Sequence, residues 1–146
     1  MKIYQLIEVP FASPLCDEFL QLRYDALRAP LNMKFYATDI EQEWQEYHLL
    51  CLDLTDQLLG GLMLRELTST IIKMRQVVIK KTMRAKGIGK LLVNYSENFA
   101  KNQGYIIMSL HARESVHEFY LRLGYRVVGD IFEEVGIPHY RMVKEL

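Results

Sequence analysis

The sequence predicts an α+β domain built around a mixed central sheet, and three patterns support this fold class. Three apolar-rich runs follow one another across short polar breaks, which is typical of an antiparallel meander. A later strand, helix and strand in succession favour a right-handed parallel crossover. Two segments repeat their apolar residues at helical spacing and therefore predict amphipathic helices. We expect residues 1–146 to form one domain, which is long enough to bury a hydrophobic core.

Prolines and glycines set most of the predicted boundaries. Pro10 ends the first strand, and Ser13-Pro14 is typical of a helix N-cap followed by proline at the first helical position. Gly104 and Gly124 are predicted to cap two later helices at their C-termini. In chain order we predict a strand at 2–9, a helix at 14–28, a short helix near 39–45, strands at 48–54, 57–67 and 70–79, a helix from 88 to 104, a strand at 105–110, a short helix ending at 124, and strands at 125–132 and 138–143.

The composition argues against several classes of protein. Eighteen Lys and Arg residues balance eighteen Asp and Glu residues, so a nucleic-acid binder with a basic surface is disfavoured. Cys16 and Cys51 lie far apart with no Cys/His cluster, which predicts buried free thiols and no metal site. The chain has no apolar stretch of the ~20 residues that cross a bilayer, and its start lacks the features of a secretory signal. We therefore expect a cytoplasmic protein with no membrane contact.

A basic loop before the longest predicted helix carries the strongest functional signal. It runs from Arg84 to Lys90 and follows the apolar strand that ends in Val77-Val78-Ile79. A helix N-terminus offers unpaired amides and a partial positive charge to an anion. Gly87 and Gly89 have no Cβ, so a phosphate can approach the backbone closely. The loop is therefore predicted to bind a phosphate-containing ligand.

Two familiar phosphate-binding loops do not fit this segment. A P-loop continues from Gly-Lys into Ser or Thr, whereas Leu91 follows Lys90 here. The dinucleotide-binding fingerprint requires a third glycine where this chain has Leu92, and it follows a first strand rather than a meander. Both the nucleoside-triphosphate and the dinucleotide interpretations are disfavoured.

The remaining pattern, Arg-x-x-Gly-x-Gly between an apolar strand and an amphipathic helix, resembles the acyl-CoA motif of the GNAT acetyltransferase superfamily. A second motif lies one helix and one strand downstream, where Phe119-Tyr120 precedes a Leu-Gly-aromatic turn at Leu123–Tyr125. The resemblance covers residues 47–145 well and the first 46 residues in outline. It implies the GNAT fold, with a mixed sheet of about seven strands and about four helices that splays between strands four and five.

The resemblance implies that acetyl-CoA donates an acetyl group to a primary amine of a small-molecule acceptor, by direct attack in a ternary complex. Tyr120 matches the tyrosine that protonates the departing CoA thiolate. A tyrosine pKa of ~10 against a thiol pKa of ~8.5 makes that transfer uphill by only ~1.5 units. Arg113, at a position that is often Asn in the family, would contact a phosphate or the acceptor. The implied donor-binding residues are Val77, Val78, Ile79, Arg84, Ala85, Lys86, Gly87, Ile88, Gly89, Lys90, Arg113 and Tyr120.

The general base is left open by the sequence. The fourth strand has no Glu at the position that many relatives use, so the candidates are His111, Glu66 and a bound water chain. A neutral histidine is a good base near pH 7. His139 is a candidate for lining the acceptor pocket. His48 and His117 are predicted to be ordinary surface or helix residues, and Arg23, Arg28, Lys34 and Tyr36 either recognise a polar acceptor or form a solvated face.

Three alternatives follow from the same residues. The first is an acyltransferase that moves a longer acyl group or uses a hydroxyl acceptor. The second is a non-catalytic domain that binds or senses acyl-CoA. The third is a nucleic-acid-binding module that uses the basic segment 80–90. A homodimer is also possible, because members of the resembled family often associate through their late strands.

Overall fold

A computed structural model describes residues 3–33 and 40–146. Lys34 and Tyr36, two of the predicted acceptor contacts, lie outside the described residues. The strands are β1 (Tyr4–Val9), β2 (Tyr47–Asp53), β3 (Leu58–Glu66), β4 (Ile71–Ile79), β5 (Ile107–Arg113), β6 (Arg126–Val127), β7 (Phe132–Glu134) and β8 (Ile137–Glu145). The α-helices that the structure describes along their whole length are α1 (Pro14–Arg23), α2 (Ile88–Asn102) and α3 (His117–Arg122).

The described strands form one mixed sheet in the order β1-β2-β3-β4-β5-β8-β6, with β7 paired to β8. Strands β4 and β5 are parallel, which the strand–helix–strand pattern predicts. Their register runs from Ile71–Ile107 to Met74–Leu110 and ends before either strand does. The predicted α+β class with a mixed sheet is confirmed, with eight strands where seven were expected.

Two compact units can be distinguished by their internal contacts. The first comprises Met1–Arg65 with Gln76–Ser96, and the second comprises Glu66–Arg75 with Glu97–Leu146. The candidate phosphate loop belongs to the first unit. The late motif around Tyr120 belongs to the second.

In the first unit, α1 packs on the sheet through Phe19, which is fully buried with Leu50, Met63 and Val78. Ser13 caps the helix as predicted, because its Oγ accepts a hydrogen bond from the Cys16 amide at 3.3 Å. The prediction of one α-helix over 14–28 is wrong in its last third. The α-helical bonding ends at Arg23 and gives way to a π-helical turn (Tyr24–Arg28) and a 3₁₀ turn (Ala29–Leu31).

In the second unit, β5 begins two residues later than predicted and ends three residues later. Tyr105 belongs to the C-cap of α2, because its amide donates to the Ala100 carbonyl beyond the left-handed Gly104 (φ 97°). Residues His111–Arg113 were expected beyond the strand, and instead they pair with β8. The single strand predicted at 125–132 is also wrong, since the chain turns at Gly129 (φ 79°) between the short strands β6 and β7.

Three further observations concern side chains and membrane contact. Cys16 and Cys51 are buried free thiols, as predicted, and burial raises the pKa of Cys51 to about 11. Two large apolar side chains are exposed, Leu91 on α2 at 38% and Val116 just before α3 at 46%. No helix in the ranges 3–33 and 40–146 is long and apolar enough to cross a membrane.

Candidate active site

The predicted phosphate loop joins the end of β4 to the start of α2. The Lys80 amide donates to the Leu59 carbonyl at 2.7 Å and ties the beginning of the loop to β3. A 3₁₀ turn (Lys81–Met83) follows. Ala85 (φ 62°) and Gly87 (φ 82°) then adopt left-handed backbone conformations, which is costly for Ala85 and ordinary for Gly87. Backbones that alternate in this way turn successive amides toward one side and form anion-binding concavities.

The loop amides bond to no other described residue. Among the described residues, no main-chain hydrogen bond is donated by the amides of residues 85–90, and α2 begins its bonding with the Leu91 amide on the Gly87 carbonyl at 3.1 Å. These groups include the first-turn amides that every helix leaves free. Except for Ile88 and Gly89, the residues of this segment are exposed. The loop therefore presents a row of donors at a helix N-terminus, as the sequence predicts.

Strand β4 is held close to β3 just before the loop. A Cβ on Gly60 would lie 2.7 Å from the Val78 carbonyl oxygen and 2.8 Å from Ile79 Cδ1, so only glycine fits there. Val78 points into the core, while Val77 and Ile79 are half-buried. The Arg84 Nε donates to the Ile79 carbonyl at 3.4 Å, which links two predicted donor-binding residues directly.

A buried ion pair lies behind this strand. Arg23 donates from both terminal nitrogens to Glu43, with Nη1–Oε1 at 2.9 Å and Nη2–Oε2 at 2.7 Å, and the side chains are 2% and 6% exposed. Its Nε lies 3.3 Å from Oε1 of Gln76, where β4 takes a left-handed φ of 54°. Neither role predicted for Arg23, acceptor recognition or a solvated helix face, fits a side chain this buried. The Arg23 side chain connects α1, the 3₁₀ turn Gln42–Gln45 and the irregular point of β4 at Gln76.

His48 was predicted to lie at the surface, and this prediction is wrong. The side chain lies in β2, 1% exposed, with Nδ1 3.1 Å from the Glu46 carbonyl oxygen. Among the described residues its Nε2 is buried without a hydrogen-bond partner. Burial lowers the pKa of His48, with a smaller opposing effect from the Glu43 carboxylate. A neutral imidazole with its proton on Nδ1 fits these contacts.

Tyr120 lies on α3 and is 7% exposed. Its ring meets Tyr125 edge to face at 5.7 Å, and Tyr125 donates its hydroxyl proton to Glu97 Oε2 at 2.8 Å. No hydrogen bond to the Tyr120 hydroxyl is found within residues 3–33 and 40–146. Burial raises the pKa of Tyr120 to about 12, so the hydroxyl is a protonated donor without a protein acceptor at neutral pH. The sequence did not single out Glu97.

His111 lies within β5 and contacts two charged side chains through one nitrogen. Its Nδ1 is 3.1 Å from Glu134 Oε1 and 3.3 Å from Lys73 Nζ. Its ring also packs edge to face on Phe132 at 4.9 Å. Neither Glu134 nor Lys73 was predicted, because an acidic residue in a hairpin and a lysine in a strand carry no distinctive sequence signal.

His139 is buried in β8 and reaches the same carboxylate from the other side. Its Nδ1 lies 2.7 Å from the Ile137 carbonyl oxygen, and its Nε2 lies 3.5 Å from Glu134 Oε2. Burial opposes ionisation of Glu134, but the hydrogen bond from His111 and the nearby cations together hold the pKa of the carboxyl below its usual range. Glu134 thus lies between two histidines, with Oε1 facing His111 and Oε2 facing His139.

The remaining predicted candidates have different surroundings. Glu66 accepts the Tyr105 hydroxyl proton at 2.5 Å at the end of β3, so its carboxylate is already engaged. Arg113 is half-buried at the end of β5, opposite His139 in the strand register. Within the described part of the chain, no group of three His, Cys, Asp or Glu side chains is arranged to hold a metal ion.

Comparison with protein families identifies the group to which this arrangement belongs. The profile of the acetyltransferase (GNAT) domain matches residues 22–146. The chain belongs to the GNAT acetyltransferase family. The match includes both the Arg84–Lys90 loop and the Phe119-Tyr120 motif, the two segments that carry the resemblance in the sequence.

Two proteins of Bacillus subtilis (strain 168) are similar to this GNAT protein over part of its length. The uncharacterised protein YyaT is 36% identical over 74 residues, covering 51% of this chain and 50% of its own. The uncharacterised N-acetyltransferase YjcF is 31% identical over 74 residues, covering 50% of this chain and 53% of its own. The chain therefore spans about half the length of these curated relatives.

Solved GNAT structures match the whole fold. A predicted N-acetyltransferase from Lactobacillus plantarum has a TM-score of 0.86 at 23% identity and covers 99% of each chain. Escherichia coli ElaA has a TM-score of 0.82 at 19% identity, covering 98% of this chain and all of its own. An aminoglycoside 6'-N-acetyltransferase complexed with coenzyme A has a TM-score of 0.81 at 20% identity, covering 97% of this chain and 96% of its own. At these identities the likeness establishes the fold.

Proposed function

We propose that this GNAT protein transfers an acetyl group from acetyl-CoA to a primary amine of a small molecule in a ternary complex. The observation that carries the proposal is the row of free amides at residues 85–90, at the N-terminus of α2. They offer a pyrophosphate several hydrogen bonds and the positive end of the helix dipole together. Family membership and a fold shared with a coenzyme A complex support the choice of ligand.

In the proposed reaction the amine nitrogen attacks the thioester carbonyl carbon, a C–N bond forms, and the C–S bond breaks with its electron pair on sulfur. Tyr120 supplies a proton to that sulfur. With a pKa of about 12 for Tyr120 against ~8.5 for a free thiol, complete transfer is uphill by roughly 3.5 units, or about 5 kcal/mol. Tyr120 therefore acts mainly by hydrogen bonding to the thiolate as the C–S bond breaks.

An amine acceptor is largely protonated at pH 7 and must lose a proton before or during attack. Among the predicted bases, Glu66 is bonded to Tyr105, whereas His111 is 27% exposed and uses only Nδ1 in its polar contacts with described residues. We therefore assign the base role to His111, with Nε2 as the accepting atom.

Thiol release from acetyl-CoA tests this function directly. The screen covers amines, amino sugars, amino acids and polyamines, with acetyl-CoA alone as the background. Release that depends on one class of amine supports the proposal. CoA binding without release for any amine favours the non-catalytic alternative, and faster release from longer acyl-CoA thioesters favours the longer-acyl alternative. Salt-sensitive nucleic-acid binding that CoA does not displace favours the third.

A further inference from the structure

We propose that Glu134 is a positioning residue that holds the His111 imidazole with its proton on Nδ1, in competition with Lys73, so that Nε2 keeps the lone pair that a base requires. The inference deepens the proposed function, on which its catalytic consequence rests. The tautomer itself can be measured without any acceptor or turnover.

The contacts of His111 Nδ1 cannot all be satisfied by one protonation state. An unprotonated Nδ1 accepts a hydrogen bond from Lys73 Nζ at 3.3 Å. The same nitrogen then faces Glu134 Oε1 at 3.1 Å with lone pair against lone pair. A protonated Nδ1 donates a hydrogen bond to Glu134. It then has no lone pair with which to accept a hydrogen bond from Lys73. The two side chains therefore favour opposite tautomers of neutral His111.

Three observations favour the tautomer of His111 that bonds to Glu134. The contact of Glu134 with Nδ1 is the shorter of the two, at 3.1 Å against 3.3 Å, and the hydrogen bond that its carboxylate accepts is charge-assisted, as the competing bond from the Lys73 ammonium is. Against the opposing effect of burial, the hydrogen bond from His111 and, to a smaller extent, nearby positive charge hold the pKa of its carboxyl below the usual range, so the carboxyl is ionised. Its second oxygen lies 3.5 Å from His139 Nε2, so the carboxylate lies between β5 and β8.

The other groups around His111 do not reverse this preference. Phe132 packs against the ring without a polar contact, at 4.9 Å and 75°. Arg141 is the cross-strand neighbour of His111 in β8 and adds a positive charge to that side, as Lys73 does from β4. Positive charge near Glu134 stabilises its ionised form, which is the form that accepts the Nδ1 proton.

The tautomer decides which nitrogen of His111 can act as a base. The His111 side chain is 27% exposed. With the proton on Nδ1, Nε2 carries a lone pair and can accept a proton from an amine. If Lys73 decided the tautomer, Nε2 would carry the proton and the lone pair of a neutral His111 would lie on Nδ1, bonded to Lys73. A carboxylate that orients a histidine in this way is the same device that orients the base in serine hydrolases.

Nitrogen-15 NMR of the imidazoles in the 146-residue chain tests the tautomer. Spectra at pH ~8.5, two units above the pKa of free histidine, report which ring nitrogen is protonated. His111 is assigned as the signal that disappears in His111→Gln. We expect Nδ1–H in the wild type, a switch to Nε2–H in Glu134→Ala, and no switch in Lys73→Met. Glu133→Ala, which removes the exposed neighbouring carboxylate, is the matched control and should leave the wild-type tautomer.

Kinetics supplies the second readout. With an amine found in the thiol-release screen, Glu134→Ala should lower kcat about ten- to a hundredfold and leave the KM for acetyl-CoA within about twofold, while Glu133→Ala keeps the wild-type kcat. A wild-type spectrum dominated by Nε2–H, or an unchanged kcat in Glu134→Ala, would overturn the inference. The wild-type spectrum decides the tautomer even if Glu134→Ala does not fold. Absence of turnover with the expected tautomer would count against the proposed function instead.

Discussion

Tyr120 and Tyr125 meet edge to face, with ring centroids 5.7 Å apart and planes at 80°, yet among the described residues a carboxylate accepts a hydrogen bond from Tyr125 and none from Tyr120. Glu97 Oε2 accepts the Tyr125 proton at 2.8 Å, and Lys144 Nζ donates to the other oxygen at 2.9 Å. The two neighbouring tyrosines therefore have different roles. The Tyr125 hydroxyl makes a hydrogen bond that stabilises the fold, whereas the Tyr120 hydroxyl donates to no described residue.

This contrast predicts opposite effects of removing the two hydroxyls. Tyr120→Phe should lower kcat ten- to a thousandfold and change the melting temperature little, since no hydrogen bond within the described residues is lost. Tyr125→Phe should destabilise the protein by about 1–3 kcal/mol, because the hydrogen bond to a charged group disappears, and should leave kcat nearly unchanged. Steady-state thiol release and thermal unfolding measure both. Equal kcat in wild type and Tyr120→Phe would rule out the acid role.

The Arg23–Glu43 pair predicts a strong dependence of stability on both partners. Arg23→Met leaves the Glu43 carboxylate buried and uncompensated, so the free energy of unfolding should fall by about 3–5 kcal/mol. The double variant Arg23→Met/Glu43→Leu should lose less than Arg23→Met alone, because no buried charge remains.

The matched control for this pair is Arg122→Met, which breaks the exposed pair of Arg122 with Glu118 at 3.7 Å. It should cost less than ~1 kcal/mol. Urea unfolding measures all three variants. A loss below 1 kcal/mol for Arg23→Met would show that the buried pair contributes no more than a surface pair.

His48 predicts a pH dependence of stability. Its pKa is lowered in the folded protein, so below the unfolded value of ~6.5 the unfolded chain binds a proton that the folded chain does not. The free energy of unfolding should therefore fall as the pH falls from about 7 toward the folded pKa, by up to about 1.4 kcal/mol per pH unit.

Urea unfolding at pH 7.0 and 5.5 measures this slope. His48→Leu should flatten it, because the titrating group is gone, and His117→Leu should retain it. His117 is the control because it is only half-buried and its Nδ1 bonds the Glu114 carbonyl oxygen at 2.6 Å. The same slope in His48→Leu as in the wild type would assign the pH dependence to other groups.

Local signals made much of the fold predictable. Ser13 and Pro14 define the start of α1, and Gly104 and Gly124 both take left-handed conformations where helices end. The mixed sheet follows from the order of the strands. The π-helical turn at Tyr24–Arg28 was not predictable, because the apolar spacing of that segment continues the helical pattern without a break.

The sequence predicted only those parts of the candidate site that lie in a local motif. The loop of free amides follows from two glycines before a helix, and Tyr120 follows from its motif. Glu134, Lys73 and Glu43 were missed because each is a charged residue without a distinctive neighbour in sequence. His111 lies 23 residues from Glu134 and 38 from Lys73, and Arg23 lies 20 from Glu43, so only the folded chain brings these pairs together.

Binding of acetyl-CoA to the loop at residues 84–90 is the central claim, and titration calorimetry with acetyl-CoA tests it most directly. We predict one site per chain with a dissociation constant between about 1 μM and 1 mM. Lys86→Glu, which reverses an exposed charge beside the free amides, should weaken binding about tenfold, whereas Lys101→Glu at the other end of α2 should leave it unchanged. Absence of binding at millimolar acetyl-CoA, or equal loss in the two variants, would contradict the account.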